Sequence, residues 1–208
     1  MMRIGRDFAT ENLVPGQSVY GERLIRKKGK EYRSWDSRRS KIAAAMIKKM
    51  KVPFGKNWTV LYLGVASGTT ASHLSDIIRD GMIFGVDPAP RVMRDFILLS
   101  ETRSNLTPVF ADANRPDKYR HIVPKVDFLY QDVAQPNQAQ IFQKNADMYL
   151  KKDGVAFVAV KSRSIDVTAN PRTVFEEFKR ELRGFKIIAE TRLEPFEKDH
   201  LALLLKKL

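Results

Sequence analysis

Short apolar runs alternate with amphipathic stretches along most of the chain, and the alternation becomes regular from Trp58 onward. Thr59–Leu63 (TVLYL) is a run of strand formers that stops abruptly at Gly64. Gly68 follows, and Thr69 and Thr70 are then placed to cap a helix through Ser72–Ile78. Met82–Val86, Leu106–Phe110, Val126–Tyr130 and Val155–Val160 predict further strands of the same apolar kind. Between them, Arg91–Glu101 and Gln138–Leu150 predict helices, the second stopped by Lys152-Asp153-Gly154. Pro171–Arg183 predicts another, with proline at a first-turn position. Phe185–Thr191 and Leu201–Leu205 close the chain as two strands with no helix between them. Seven strands interleaved with helices define an α/β fold, an open and mostly parallel sheet covered on both faces. The helix-free last connection predicts a hairpin that leaves one strand antiparallel.

The first residues differ in character. Pro15-Gly16 marks a turn, Ser18–Gly21 reads as extended, and Arg23–Arg33 is a strongly basic hairpin with Lys28, Gly29 and Lys30 at its tip. From Arg38 to Lys51 the spacing of Ile42, Met46 and Met50 predicts a helix, stopped by Pro53 and Gly55. The expected division is therefore a small N-terminal β region with its linking helix over 1–52, and the sheet domain over 53–208.

The 208 residues suffice for one full domain with a sizeable core, and 43% apolar against 29% charged residues excludes a wholly disordered chain. There is no cysteine, which removes disulfides, thiolate metal sites and cysteine nucleophiles. No apolar stretch approaches the ~20 residues of a membrane span, and MMRIGRDFATENL has no signal-peptide core, so an intracellular, cytoplasmic location is expected. Lys and Arg number 37 against 24 Asp and Glu, a net charge of +13 that favours a polyanionic partner, nucleic acid first. A generally basic proteome would give the same excess.

In open α/β sheets a ligand lies outside the carboxyl ends of the strands. Here those ends carry Gly64–Gly68, Asp87, Asp112, Asp132 and Lys161. A carboxylate at the end of the second strand can accept from both hydroxyls of a ribose, and Asp112 can reach an adenine amino group. The bland alternative is that strand-end aspartates cap the following helix. The turn GVASG lacks the dinucleotide fingerprint GxGxxG and the Walker cradle GxxxxGK[ST]. Its spacing, Gly64-x-Ala66-x-Gly68, fits the glycine-rich turn of S-adenosylmethionine methyltransferases.

Four stretches carry a closer likeness: YRSWDSRRSKIAAAM (32–46), YLGVASGTTASHLSD (62–76), VDFLYQDVAQPNQ (126–138) and LEPFEKDHLALLL (193–205). They resemble the fibrillarin family, and the similarity runs from about Val14 to the C-terminus. The resemblance implies a Rossmann-like S-adenosylmethionine methyltransferase fold and methyl transfer to RNA ribose 2′-hydroxyls of pre-rRNA and tRNA, chosen by a box C/D guide RNA. It implies work within a complex holding guide and target RNA, a Nop-domain scaffold and a kink-turn-binding, ribosomal-protein-like subunit. The Gly/Arg-rich extension of eukaryotic members is not seen, so the compact archaeal form is expected; a eukaryotic member would be nucleolar.

Carried over by motif, the family's catalytic set falls on Lys41, Asp132, Lys161 and His200. The implied cofactor residues are Gly64, Ala66, Ser67, Gly68, Thr69, Thr70, Asp87, Pro88, Asp112, Ala113, Asp132 and Gln135; no metal site is implied. Asp87-Pro88 departs from the usual Glu followed by an aromatic residue, and Ser37-Arg38 replaces a run containing Asn-Pro. Chemistry agrees with the set: a ribose hydroxyl attacking a sulfonium methyl needs positioning and help in losing one proton. Lys161 can contact the 2′-oxygen, and acts as base only if Lys41 lowers its pKa; Asp132 orients the ammonium groups. Taken singly, Lys161 reads as a solvated strand terminus, Lys41 as one more charge on a basic helix, and His200 as a surface partner of Asp199. His73 and His121 read as structural, and Trp35 either stacks on a base or packs the N-terminal region on the core. Two other readings remain at this stage: an assembly subunit that kept the fold without activity, and a nicotinamide-dependent oxidoreductase, disfavoured by the missing glycines.

Overall fold

A computed structural model of the chain describes residues 1–5 and 7–208. Seven strands form one sheet: β5 (Thr59–Leu63), β6 (Met82–Asp87), β7 (Leu106–Phe110), β8 (Val126–Gln131), β9 (Leu150–Lys161), β10 (Phe185–Arg192) and β11 (His200–Lys207). Their order is β10-β11-β9-β8-β5-β6-β7, parallel except for β11, which runs antiparallel to both its neighbours. The terminal hairpin thus sits where expected. The chain moves outward from β5 through β6 to β7, then returns to place β8 on the other side of β5. That reversal opens a crevice at the carboxyl ends of β5 and β8.

Both sides of the central strands are buried, which is why they read as continuous apolar runs. On one face Val60, Tyr62, Phe128, Tyr130, Phe157 and Ala159 pack under α1 (Lys41–Ile47), α2 (Thr69–Ile77) and α3 (Pro90–Thr102). On the other, Leu61, Leu63, Leu129, Val158 and Val160 meet α4 (Gln138–Tyr149) and α6 (Pro171–Glu181). The short α5 (Ser162–Ile165) and a 3₁₀ turn at Pro116–Tyr119 complete the elements of this half.

Four further strands, β1 (Met2–Ile4), β2 (Asp7–Glu11), β3 (Leu24–Lys27) and β4 (Lys30–Trp35), form an antiparallel sheet of order β1-β2-β4-β3. The basic hairpin is β3–β4, turning through Lys28 (φ 51°) and Gly29 (φ 73°), the left-handed pair that matches strand twist in a two-residue loop. Several local expectations need correction. Ser18–Gly21 is a loop, because the Glu22 carboxylate takes the amides of Val19 (3.0 Å) and Tyr20 (2.8 Å) and leaves them none for a ladder. The helix expected over 38–51 spans only Lys41–Ile47. Its start is held back by a turn in which the Arg38 amide bonds the Asp36 carboxylate. Its end comes where Lys49 enters the left-handed region (φ 73°) and the Met50 amide reaches back to Ala45. Thr69 and Thr70 do not cap α2: Gly68 (φ 89°) is the cap residue and both threonines lie inside the first turn. Strand β9 starts earlier than Val155, because Leu150 is buried and already pairs with Val126.

The N-terminal sheet docks on α2 through buried charge. Asp76 accepts from Arg33 (3.0 Å), Arg103 (2.7 Å), Thr10 (2.6 Å) and the Leu13 amide (2.9 Å), and Arg33 also pairs with buried Glu22. Arg33 therefore leaves the basic surface the sequence suggested and is fully buried. His73 lies in the same layer, stacked on Trp35 (4.9 Å, 14°) and bonded to Thr10 and Tyr20 (2.7 Å each). Trp35 accordingly packs between the two sheets. Burial, then the nearby Arg33 and Arg103 guanidiniums, hold the His73 pKa well below the ordinary value.

Two outcomes follow for stability. Asp76→Asn leaves buried Arg103 without a carboxylate and Arg33 with Glu22 alone, and is expected to cost about 3–5 kcal/mol, read as a lower midpoint in urea. Because the unfolded chain protonates His73 first, stability is full above about pH 6.5 and falls as pH drops below it. Thermal midpoints from pH 7.5 to 5 will show that fall, and His73→Gln will reduce it.

Candidate active site

Strand parity builds the cluster. On β9, Phe157 and Ala159 face α1, so Lys161 continues that face at the strand's end. On β8, Phe128 and Tyr130 do the same, and the alternation carries on to Asp132. His200 is the ladder partner of Lys161 on the antiparallel β11, so their side chains leave the sheet on the same side. Helix α1 lies across this face with Lys41 at its first position, and its start is tied to α2 by the Thr70 hydroxyl donating to Ser40 (3.0 Å).

The result is a row of alternating charge. Lys161 Nζ stands 2.7 Å from Asp132 Oδ1 and donates to the Asp132 carbonyl at 2.9 Å. Lys41 Nζ lies 3.5 Å from Asp132 Oδ2 and 3.3 Å from Glu197 Oε1. Burial acts to lower the Lys41 pKa, but the Asp132 and Glu197 carboxylates outweigh it, and the net direction is upward. A carboxylate stands between the two amines, so the direct Lys41–Lys161 approach on which a basic role for Lys161 was conditional is not the arrangement present. His200 Nδ1 lies 2.7 Å from the Lys198 carbonyl. A carbonyl only accepts, so Nδ1 carries the proton and Nε2 is the free acceptor of the neutral ring. Beneath the row, Tyr62 and Tyr130 stack at 4.2 Å, and burial raises both hydroxyl pKa values.

Asp132 also lines a groove of about 300 Å³ at the switch point, together with Gly64, Ala66, Asp87, Pro88, Asp112, Ala113 and Gln135 from the predicted set. Gly64 (φ 77°) allows the close approach here: a Cβ on it would stand 2.7 Å from the Asp132 carbonyl oxygen. Asp87 is buried and accepts from the Ala66 amide (3.0 Å) and the Ala89 amide (3.0 Å), so it shapes the glycine turn from below while lining the groove. Asp112 is exposed at the lip, one oxygen engaged by Asn114. The remaining predicted residues lie elsewhere. Ser67 and Thr69 line a separate cavity beside Leu98 and Val14, Thr70 is buried against Ser40, and Gly68 packs on Phe96. His121 is exposed in its loop. Among the described residues no cluster of His, Cys, Asp and Glu suits a metal ion, and no helix is long and apolar enough to cross a membrane.

Sequence reasoning missed three groups. Buried Gln138 brackets the Lys161 backbone, its side-chain oxygen accepting the Lys161 amide (3.0 Å) and its nitrogen donating to the Lys161 carbonyl (3.1 Å). Gln131 in turn donates to the Gln138 carbonyl (2.9 Å), linking the ends of β8, α4 and β9. Glu197, in the β10–β11 loop, is the second carboxylate on Lys41. Gln138 was visible only as the last residue of VAQPNQ, and Glu197 only as the acid three places before His200.

A sheet of this order, with its last strand reversed and its groove at the switch point, is that of the Rossmann-like S-adenosylmethionine-dependent methyltransferases. Within that class the chain belongs to the fibrillarin family, whose model, described as Fibrillarin, matches residues 2–207. It is 52% identical over 203 residues to a fibrillarin-like rRNA/tRNA 2′-O-methyltransferase of Pyrococcus abyssi, covering 96% of this chain and 89% of that protein. It is similar to the Aeropyrum pernix fibrillarin solved with natively bound S-adenosyl-L-methionine (TM-score 0.88, 49% identity, 95% of this chain and 87% of that one). It is also similar to a chain of a fibrillarin/Nop5p complex (TM-score 0.88, 40% identity, 93% and 91%).

Gln138→Leu keeps the volume but leaves the Lys161 amide and carbonyl without their partner. The expected loss is about 1–3 kcal/mol for each abandoned group, with faster hydrogen exchange at the Lys161 amide as the local readout.

Proposed function

We propose that this chain is an S-adenosylmethionine-dependent RNA ribose 2′-O-methyltransferase acting on rRNA and tRNA. The carrying observation is that one residue, Asp132, both lines the nucleoside-sized groove and holds the two amines. The groove suits the donor: Gly64 lets the end of β5 lie close against the Asp132 backbone, and the Asp87 and Asp112 carboxylates that line the groove are the acceptors we assign to its ribose and adenine. When bound, the donor supplies an electrophilic methyl on a sulfonium.

The chain's own residues then have to present a 2′-oxygen and take away its proton. An ammonium has three donors; Lys161 gives one to the Asp132 carbonyl and lies in charge contact with Oδ1, which leaves a donor for the 2′-oxygen as negative charge builds there. Asp132 orients Lys161 and Lys41 so that neither drifts into solvent. His200, beside Lys161 with Nε2 unprotonated in the neutral ring, is the group we assign to accept the proton. This replaces Lys161 as the candidate base, since its amine is tied to a carboxylate. The one proton that the 2′-hydroxyl must lose on methylation would pass to Nε2.

We further propose that the substrate is chosen by a box C/D guide RNA, and that the chain works in the cytoplasm with a Nop-domain scaffold and a kink-turn-binding subunit. Fibrillarin membership, the similarity to a chain solved with Nop5p, and the charge of +13 support that reading. Methyl transfer from labelled donor to guided RNA, with each protein omitted in turn, tests it. In the complete particle, Asp132→Ala and Lys161→Ala are expected to abolish transfer while assembly, read by native gel, is unchanged. Full activity in either variant overturns the assigned roles.

A further inference from the structure

The β10–β11 loop, residues 193–199, is anchored more heavily than a hairpin connection requires. Leu193 is fully buried and Phe196 packs against the core. Lys48 donates to the Glu194 carbonyl (2.7 Å), Arg192 to the Glu194 carboxylate (2.7 Å), and Arg163 to the Asp199 carboxylate (3.0 Å). The Asp199 amide also bonds Glu194 (3.2 Å). These contacts come from α5, β10 and the end of α1, and they fix two functional groups, one at the first residue of β11 and one within the loop. One is His200. The other is Glu197, whose amide is held by the Leu193 carbonyl (3.2 Å) and whose carboxylate faces Lys41.

We propose that Glu197 is a positioning residue for methyl transfer, holding the Lys41 ammonium between itself and Asp132 so that Asp132 keeps its short contact for Lys161. The proposal rests on the reading above that this cluster performs the transfer. Its geometry is the near-equal sharing of Lys41, 3.3 Å to Glu197 and 3.5 Å to Asp132, against 2.7 Å from Lys161 to Asp132. Asp132 is one carboxylate serving two cations. Without a second acceptor, Lys41 would close on Oδ2 and compete with Lys161 for the same charge. Glu197 relieves that competition, and the row of Glu197, Lys41, Asp132 and Lys161 then carries two charges of each sign. The side chains of Lys41 and Glu197 are about one-fifth and one-quarter exposed, so this is not a solvated surface pair of negligible strength. The titratable groups facing Lys41 are Asp132 from the end of β8 and Glu197 from the loop, with Lys161 beyond Asp132.

The test compares Glu197→Gln and Glu197→Asp with the unaltered chain in the complete guide-RNA particle. For Glu197→Gln the expected result is a kcat at least about tenfold lower at saturating donor and RNA, with donor Kd and particle assembly unchanged. Glu197→Asp restores part of the loss. In the free protein, the Lys41 Cε resonance followed by NMR titrates at lower pH in Glu197→Gln, because an acceptor that favoured the charged amine is gone. An unchanged kcat or an unchanged Lys41 titration overturns the proposal, and so does a loss of donor affinity or folding equal to the loss of rate, which would make Glu197 structural only. If the unaltered particle transfers no methyl group, the underlying reading fails instead, and the two failures are told apart.

Discussion

The Asp132 carboxylate between two ammonium groups is the contact on which the arrangement of the site depends. It lies where the strand order reverses, so the residue that touches the groove is also the residue that faces α1. Each amine approaches from a different element, Lys41 from a helix laid over the sheet and Lys161 from the next strand. The partly buried carboxylate is compensated by both cations, Lys161 depends on it for its charge partner, and Lys41 shares it with Glu197. The backbone contributes as much as the side chain: the Asp132 amide bonds Leu63 and its carbonyl receives Lys161, which locks the end of β8 to β5 on one side and β9 on the other.

Two kinds of support surround that contact. Below it, the glutamines of β8 and α4 hold the Lys161 backbone from inside the fold, where hydrogen bonds to amide groups are costly to lose. Above it, the clasped loop between β10 and β11 brings His200 and Glu197 over the edge. Interior amides thus set where a strand end lies, while charged groups near solvent set where an ammonium points. The first is rigid by burial and the second by pairing.

Much of this was legible in the chain because the period of a strand is two and its apolar runs are buried on both sides. Thr59–Leu63 and Leu106–Phe110 coincide with their predicted limits; the first is buried from Val60 to its end, whereas the second is an edge strand that finishes on an exposed Phe110. The strand-end residues Asp87, Asp132 and Lys161 followed from the same reading. Met2–Ile4 and Asp7–Glu11 were not foreseen, because short strands of a small sheet, half-buried and without clear alternation, carry almost no periodic signal. Glu197 was illegible for another reason. It lies in a turn, and the lysine that gives it meaning is at the opposite end of the sequence, so no local pattern marks it. The threonines of α2 were misread because a glycine in the left-handed region can begin a helix without a side-chain cap.

Consider finally how the N-terminal sheet is seated. Two greasy surfaces tolerate sliding, whereas Arg33, Asp76 and Arg103 admit one alignment only, since any shift strands a charge out of water. Strand β4 ends at Trp35, and the chain reaches Lys41 after one short turn. The origin from which that lysine extends is therefore set on the far side of α2 by residues that never meet the groove. A chimera that exchanged this sheet between relatives would have to carry Asp76, Arg103 and His73 along with it, or the helix bearing the amine would begin from the wrong place.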